Sequence, residues 1–294
     1  MTRSTAFLFP GQGKTPDALD VLSERTVHLF DLAAQRGLPL RQWIADGQSH
    51  LLSQTENAQP ALFIDSLARE EILRLAGWIP AAVAGHSLGE YVALVSSGAL
   101  NAIAALDVII ERGRVMCGPS GGMAAVLKLD IDAVQSLCAE VGPGVCVANH
   151  NSPTQIVVSG ESASVEQLID RAKKLGGRCI PLQVSGPFHS PLMRSAEEAL
   201  RPWLQKLELA TPELSVISSV TGTVECDPES LRAILYRQMT SQVRWVDVMH
   251  RLESLGVEIA IEVGSGDVLT RLGQRMQTQI RFMTYKEAID EHVS

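Results

Sequence analysis

The first part and the last third of the chain alternate short, continuous apolar runs with longer amphipathic segments. Continuous apolar runs are typical of parallel strands buried on both faces, and the amphipathic segments are typical of helices that cover them. The apolar runs predict strands at 4–9, 81–85, 215–220, 258–263 and 281–285. The amphipathic segments predict helices at 17–36, 60–76, 88–97, 102–116, 191–206, 228–238 and 245–255.

The pattern changes in the middle of the chain, where strands and helices follow in the order β-α-β-β-α-β. The predicted strands are 123–129, 145–149, 155–159 and 178–184, and the predicted helices are 131–141 and 162–175. This order is that of a ferredoxin-like, split βαβ unit. Clusters of glycine and proline bound the segment on both sides. We therefore predict an α/β large domain, 1–121 and 190–294, with an inserted ferredoxin-like small domain, 122–189, and a functional site in the cleft between them.

Composition and charge narrow the class of protein. Of the 294 residues, 46% are hydrophobic and 20% are charged, which is usual for a folded globular chain. The net charge of -8 disfavours nucleic acid and anionic membranes as partners. No apolar run reaches the ~18 residues of a membrane span, and no signal peptide is evident. The five cysteines lack CxxC or metal-ligand spacing. These features predict a cytoplasmic protein without a metal site.

The segment Gly85-His86-Ser87-Leu88-Gly89 matches the nucleophile-elbow pattern G-x-S-x-G. It stands between a predicted strand and a predicted helix, which is the context that the motif requires. A tight turn there would expose the Ser87 hydroxyl, and the following helix would direct free N–H groups toward it. The backbone N–H of Leu88 is the first candidate for an oxyanion donor.

A serine nucleophile needs a base, and the chain contains seven histidines. His189 ranks first because it lies in a rigid junction, Ser185-Gly186-Pro187-Phe188-His189-Ser190, where the chain returns to the large domain. His150, at the end of a small-domain strand, remains an alternative. A structural role is expected for His86, because its side chain should point away from that of its neighbour Ser87.

Seven short motifs, in order along nearly the whole chain, resemble those of malonyl-CoA:acyl carrier protein transacylases. That family includes discrete fatty-acid enzymes and the acyltransferases of polyketide synthases. Each motif is weak alone, but together they are specific. The motifs are Phe9-Pro10-Gly11-Gln12-Gly13, Ala58-Gln59-Pro60-Ala61, Gly85-His86-Ser87-Leu88-Gly89-Glu90-Tyr91, Glu111-Arg112-Gly113, Gly186-Pro187-Phe188-His189-Ser190, Val243-Arg244-Trp245 and Glu262-Val263-Gly264-Ser265-Gly266.

The resemblance implies a role for each catalytic residue. Ser87 would carry the acyl group, and His189 would act first as general base and then as general acid. The backbone N–H groups of Gln12 and Leu88 would form the oxyanion hole. A main-chain carbonyl near Arg244, in place of an acidic side chain, would orient the histidine. The resemblance also implies that the large domain is α/β-hydrolase-like.

The same resemblance implies the substrate contacts and partners. Arg112 would bind the malonyl carboxylate, since a guanidinium pairs bidentately with a carboxylate. Phe188 would fill the space that the methyl group of methylmalonyl needs, and Asn151 would lie beside the pocket. Malonyl-CoA would be the donor and an acyl carrier protein the acceptor, in fatty-acid or polyketide biosynthesis. Coenzyme A would enter only as the thioester substrate, so no cofactor is implied.

Three other functions compete with malonyl transfer between coenzyme A and a carrier. The chain could be a free-standing acyltransferase with another acyl-CoA or acyl-carrier substrate, or a serine thioesterase or hydrolase built on the same serine and histidine. It could also be a non-catalytic scaffold that binds carrier proteins, although intact Ser87, His189 and Arg112 argue against this. A basic cluster in the small domain is either a docking surface for an acidic carrier or a solvated helix face. It consists of Arg171, Lys173, Lys174 and Arg178.

Overall fold

The computed structural model describes residues 4–17 and 22–293 of the chain. The strands of this part form two separate sheets, one of six strands and one of four. The strands are β1 (Thr5–Phe9), β2 (Ala82–Gly85), β3 (Gly122–Leu127), β4 (Val145–Ser152), β5 (Gln155–Gly160), β6 (Arg178–Pro181), β7 (Ser215–Ile217), β8 (Val224–Glu225), β9 (Ile259–Glu262) and β10 (Arg281–Thr284).

Helices surround both sheets, and several of them begin at a side chain that caps the first turn. Ser23, Asn101, Asp130 and Asp227 each accept a hydrogen bond from a backbone N–H of the helix that follows. The helices are α1 (Glu24–Gln35), α2 (Leu40–Ala45), α3 (Ser49–Leu52), α4 (Thr55–Leu75), α5 (Gly89–Ser96), α6 (Ala102–Met116), α7 (Ile131–Val141), α8 (Ser162–Lys174), α9 (Arg194–Gln205), α10 (Pro228–Arg237), α11 (Trp245–Ser254), α12 (Val268–Gly273) and α13 (Tyr285–Val293). Two 3₁₀ turns, Pro191–Met193 and Gln238–Thr240, precede α9 and follow α10.

The six-stranded sheet has the order β10-β9-β1-β2-β7-β8, and all its pairs are parallel except β7 with β8. Its central strands are buried on both faces, which explains their continuous apolar sequences. Phe7 belongs to an apolar cluster on one face with residues of α4, α5 and α6. Leu8 belongs to a cluster on the other face with residues of α11 and α12.

The four-stranded sheet is antiparallel and has the order β4-β5-β3-β6, with α7 and α8 packed against it. Its elements follow the β-α-β-β-α-β order along the chain. It has an apolar cluster of its own, which includes Val126, Leu137 and Leu168. The edge strand β4 also contacts the other part of the chain, where His150 N–H donates to the Val243 carbonyl and Val243 N–H to the Ala148 carbonyl.

Several elements differ from the sequence prediction. Helix α4 begins at Thr55, five residues before the start predicted at residue 60. Pro60 lies inside the helix instead, and the backbone of Glu56 packs closely against Gly113 of α6. The helix expected at 17–36 spans Glu24–Gln35, and residues 18–21 lie outside the described part. The helices α2, α3, α12 and α13 and the two-residue strand β8 were not predicted.

The carboxyl ends of adjacent parallel strands bring three loops to one edge of the large sheet. Gln12 follows β1, Ser87 follows β2, and Ser265 follows β9. Residues from all three loops line one cleft together with residues of β3, β4 and β5. A cleft at this edge is the usual ligand position in open α/β sheets. In residues 4–17 and 22–293, no helix combines the length and apolarity that crossing a bilayer requires.

Candidate active site

Ser87 lies at the sharp turn between β2 and α5, in the left-handed region of backbone conformation with φ of 53°. The turn is tight enough to require glycine on both sides. A Cβ on Gly85 would lie 1.9 Å from the carbonyl carbon of Gly89, and a Cβ on Gly89 would lie 2.1 Å from the carbonyl oxygen of Phe9. The half-buried Ser87 side chain therefore projects into the cleft from a backbone that admits little rearrangement.

His189 meets Ser87 across the cleft, with 2.9 Å between His189 Nε2 and Ser87 Oγ. The imidazole is 5% exposed, and its residue also has a positive φ, of 58°. Within the described residues, Ser87, His189 and Lys128 are the non-glycine residues in this backbone region. Two of these three strained positions thus carry the serine and histidine that form the hydrogen bond.

Two main-chain carbonyls fix the orientation of the His189 ring. Nδ1 lies 2.9 Å from the carbonyl oxygen of Ser241 and 3.1 Å from that of Gln238. Because carbonyl oxygens only accept, Nδ1 must carry the proton and Nε2 must be the basic nitrogen that accepts from Ser87. The prediction that a carbonyl at Arg244 orients the histidine is wrong by a few residues. The Arg244 carbonyl accepts from Val248 N–H, since Arg244 caps α11, and its side chain pairs with Asp247.

Burial, and after it the nearby positive charge of Arg112, lower the pKa of His189 from 6.5 to about 3. The imidazole is therefore neutral at physiological pH and able to accept a proton. His150, the alternative base, has Asp247, His250 and Arg244 as its charged neighbours. No hydrogen bond in the described chain joins its imidazole to Ser87.

Arg112, on α6, is fully buried and reaches the same serine, with 3.2 Å between its Nη2 and Ser87 Oγ. Its other partners are neutral: it donates to the amide oxygen of Gln59 and to that of Gln238 at 3.1 Å, and it lies over the Tyr91 ring. In residues 4–17 and 22–293, no Asp or Glu forms an ion pair with it. A buried guanidinium without a counter-ion is costly, so the site favours an anion at this position.

Gln238 connects the serine turn, the arginine and a buried carboxyl group. Its amide nitrogen donates to the Ser87 carbonyl at 3.0 Å and to Glu90 Oε2 at 2.6 Å, while its amide oxygen accepts from Arg112. Burial raises the pKa of Glu90, which also accepts from Ser219 Oγ at 3.0 Å. The same residue supplies a carbonyl to His189, so it contacts each part of the serine–histidine–arginine cluster.

Of the two expected oxyanion donors, Leu88 belongs to the serine turn and Gln12 to the loop after β1. Leu88 precedes α5, and the Gln12 loop lines the cleft. Among the hydrogen bonds of the described chain, neither backbone N–H has an internal acceptor. Both are therefore free to donate to a group in the cleft.

Phe188 and Asn151 also line the cleft, and both are largely buried. Asn151 contacts the site indirectly, since its Oδ1 lies 2.9 Å from Nε2 of His86. The His86 ring also packs against Trp245, with 5.3 Å between ring centroids. His86 thus joins the serine turn to β4, in agreement with the structural role expected for it. In the described residues, no cluster of three or more His, Cys, Asp or Glu side chains could hold a metal ion.

The sequence that forms this site is similar to those of known acyltransferases. Residues 27–289 match the acyl transferase domain family. The chain is 37% identical over 289 residues to the malonyl CoA-acyl carrier protein transacylase of Bacillus subtilis, covering 94% of this chain and 91% of the relative.

The chain belongs to the malonyl-CoA:acyl carrier protein transacylase family.

Solved structures of this transacylase family superimpose closely on this chain. The enzyme of Xanthomonas oryzae has a TM-score of 0.91 at 32% identity, with 98% of both chains covered. A malonyl-transacylase in complex with a type II polyketide synthase acyl-carrier protein has a TM-score of 0.87 at 31% identity, with 98% of this chain and 99% of that chain covered. The resemblance inferred from the seven motifs is thereby confirmed.

The sequence prediction grouped Ser87, His189 and Arg112 correctly in space, but it missed several of their partners. Gln59 stood in a motif without an assigned role, although an amide before a proline in an apolar segment was a usable signal. Gln238 and Ser241 gave no signal, because they act through position and through main-chain atoms. They are brought to the site by the 3₁₀ turn after α10.

The depressed pKa of His189 predicts how stability depends on pH. Between about pH 6.5 and about pH 3 the unfolded chain binds a proton at this residue and the folded chain does not, so the free energy of unfolding falls as the pH is lowered through that window. Chemical denaturation of the wild type and of His189→Gln, measured from pH 8 to about pH 4, tests this. Below about pH 6.5 the free energy of unfolding of the wild type should fall relative to that of the variant. Above this pH the difference between the two proteins should stay constant. Curves that stay parallel would show that His189 is not buried in its neutral form.

Proposed function

We propose that this protein transfers a malonyl group from malonyl-CoA to the phosphopantetheine thiol of an acyl carrier protein through an ester on Ser87. The observation that carries the proposal is the buried, positively charged Arg112 within 3.2 Å of a serine that is hydrogen-bonded to a neutral histidine. The family relatives named above act on malonyl-CoA and acyl carrier protein, in agreement with this geometry.

In the first half-reaction, His189 Nε2 takes the Ser87 hydroxyl proton while Oγ attacks the thioester carbonyl carbon. The resulting oxyanion accepts hydrogen bonds from the N–H groups of Gln12 and Leu88. The intermediate collapses, the carbon–sulfur bond breaks, and the coenzyme A thiolate takes the proton from His189. Ser87 then carries the malonyl ester.

In the second half-reaction, the carrier thiol gives its proton to His189 and attacks the same ester carbonyl. The carbon–oxygen bond breaks, and Ser87 recovers its proton from the imidazolium. A main-chain carbonyl suffices to orient the histidine, because Ser241 and Gln238 already fix its tautomer. The proposed catalysis therefore needs no acidic third member.

Arg112 couples substrate selection to the chemistry. Its guanidinium donates to the malonyl carboxylate and so forms an ion pair that no Asp or Glu of the described residues provides. The charge of Arg112 contributes to the low pKa of His189, so a bound carboxylate that offsets this charge raises the pKa of the imidazole. Malonyl binding thus strengthens the base that deprotonates Ser87.

Phe188 and Asn151 shape the remaining space beside the reacting carbon. Phe188 directly precedes the histidine and lies largely buried against the cleft, where its ring limits the volume available to an α-methyl group. Asn151 holds His86 and with it the serine turn. The position of the Phe188 ring supports selectivity for malonyl over methylmalonyl.

We also infer a two-domain description of the chain, with an α/β-hydrolase-like large domain (1–121 and 190–294) and a ferredoxin-like small domain (122–189). The mainly parallel sheet and the antiparallel β4-β5-β3-β6 sheet, each with its own apolar cluster, support it. The basic cluster of the small domain gives weaker support for carrier docking. Arg171 pairs with Glu140 and Lys173 with Asp170, so part of its charge is compensated within the domain.

The fate of the acyl-enzyme separates a transferase from a serine hydrolase. Protein loaded with labelled malonyl-CoA and freed of excess donor should keep its label in buffer and lose it on addition of holo-acyl carrier protein. The label should then appear on the carrier thiol, as measured by mass spectrometry of both proteins. Rapid loss of label to water, with none on the carrier, would identify a hydrolase or thioesterase.

Substitution of Arg112 tests the selectivity. Arg112→Ala should lower kcat/KM for malonyl-CoA by about 30-fold or more, because losing one partner of a buried charged pair costs roughly 2–5 kcal/mol. It should raise the rate with acetyl-CoA relative to malonyl-CoA, since acetyl has no carboxylate. Arg114→Ala is the matched control, because Arg114 lies on the same helix with 57% of its side chain exposed. An unchanged malonyl-to-acetyl ratio in Arg112→Ala would remove Arg112 from substrate recognition.

A further inference from the structure

A chain of three side chains joins the two loops on opposite sides of the serine. The amide nitrogen of Gln12 donates to Thr55 Oγ1 at 3.2 Å, and Thr55 Oγ1 lies 2.7 Å from Ser185 Oγ. Gln12 belongs to the loop after β1, and Ser185 begins the junction that leads to His189. One hydroxyl group therefore contacts both loops.

Thr55 is well placed to hold these loops in position. It is 3% exposed and is the first residue of α4, the longest helix of the described chain. One turn further along the same helix, Gln59 accepts from Arg112. The start of α4 thus contacts the Gln12 loop, the His189 junction and the arginine, while residues 57–70 of the helix are buried.

Each loop has contacts of its own, but in the described chain no hydrogen bond joins the two loops to each other directly. Residues 10–17 and 182–190 contain bends and turns but no helix or strand. An oxyanion donor must lie within about 2.7–3.1 Å of the developing charge, and an error of about 1 Å can cost on the order of 100-fold in rate. A buried hydroxyl that joins the loops would keep the Gln12 N–H and the His189 imidazole at fixed distances from Ser87.

We propose that Thr55 is a positioning residue that fixes the oxyanion-hole loop relative to the base-bearing loop. The inference rests on the proposed acyl transfer, because it needs Gln12 N–H as an oxyanion donor. Thr55 contacts neither Ser87 nor Arg112, so it acts on the rate of the chemical step and leaves recognition of the malonyl carboxylate intact.

Steady-state kinetics of Thr55→Val test the proposal, because valine keeps the shape of threonine and removes the hydroxyl. We expect kcat for malonyl transfer to fall by about 10- to 100-fold with little change in KM for malonyl-CoA. Thr55→Ser, which restores the hydroxyl, should recover most of the rate. Thr26→Val is the matched control, since Thr26 is also buried and donates to Glu71 at 3.1 Å on the other part of α4. It should affect stability without affecting kcat.

A double-mutant cycle with Ser185→Ala examines the connection itself. If the three side chains act as one chain, the loss in the double variant should be smaller than the product of the two single losses. Independent, multiplicative effects would overturn the proposal, and so would a Thr55→Val protein with wild-type kcat. The proposal would also be overturned if the kcat of Thr55→Val fell in proportion to its free energy of unfolding and Thr55→Ser did not restore it. A wild-type protein without malonyl transfer in the same assay would instead refute the proposed function.

Discussion

The structure depends on one buried positive charge, the guanidinium of Arg112. Arg112 is surrounded by amide oxygens, an aromatic ring and the hydroxyl of Ser87, and no carboxylate in the described chain forms an ion pair with it. Removing a guanidinium from water is expensive unless an anion compensates for it. The cleft therefore favours an anionic ligand, and the 3.2 Å between Arg112 Nη2 and Ser87 Oγ places that ligand beside the serine.

The surrounding fold serves to place that charge beside a reactive pair. Parallel strands place Gln12 and Ser87 at one edge of the large sheet, the tight turn exposes the serine, and the loop of residues 182–190 brings His189 to it. Burial keeps the imidazole neutral and main-chain carbonyls fix its tautomer. Gln238 contacts all the parts, so the serine turn, the arginine and the base are held as a single unit.

Much of this could be predicted from the sequence, because the decisive signals are local. Apolar runs predict the strands and amphipathic segments predict most helices. The glycines at 85 and 89 are needed because the backbone passes too closely there for a Cβ atom. The short helices and the edge strand β8 lack a long apolar period, so they were missed. The carbonyls that orient His189 could not be found, since any residue can supply one. Thr55 gave no signal because its role depends on two loops that are distant in sequence.

Intact-protein mass spectrometry of the wild type with a set of acyl-CoA thioesters tests the central claim most directly, when combined with peptide mapping of the adduct. Because Arg112 pairs with a carboxylate, we expect rapid formation of a malonyl adduct on Ser87 and slow or absent formation of an acetyl adduct. The malonyl ester should persist until a thiol acceptor is added. Equal loading of acetyl and malonyl groups, or an adduct on a residue other than Ser87, would contradict the account.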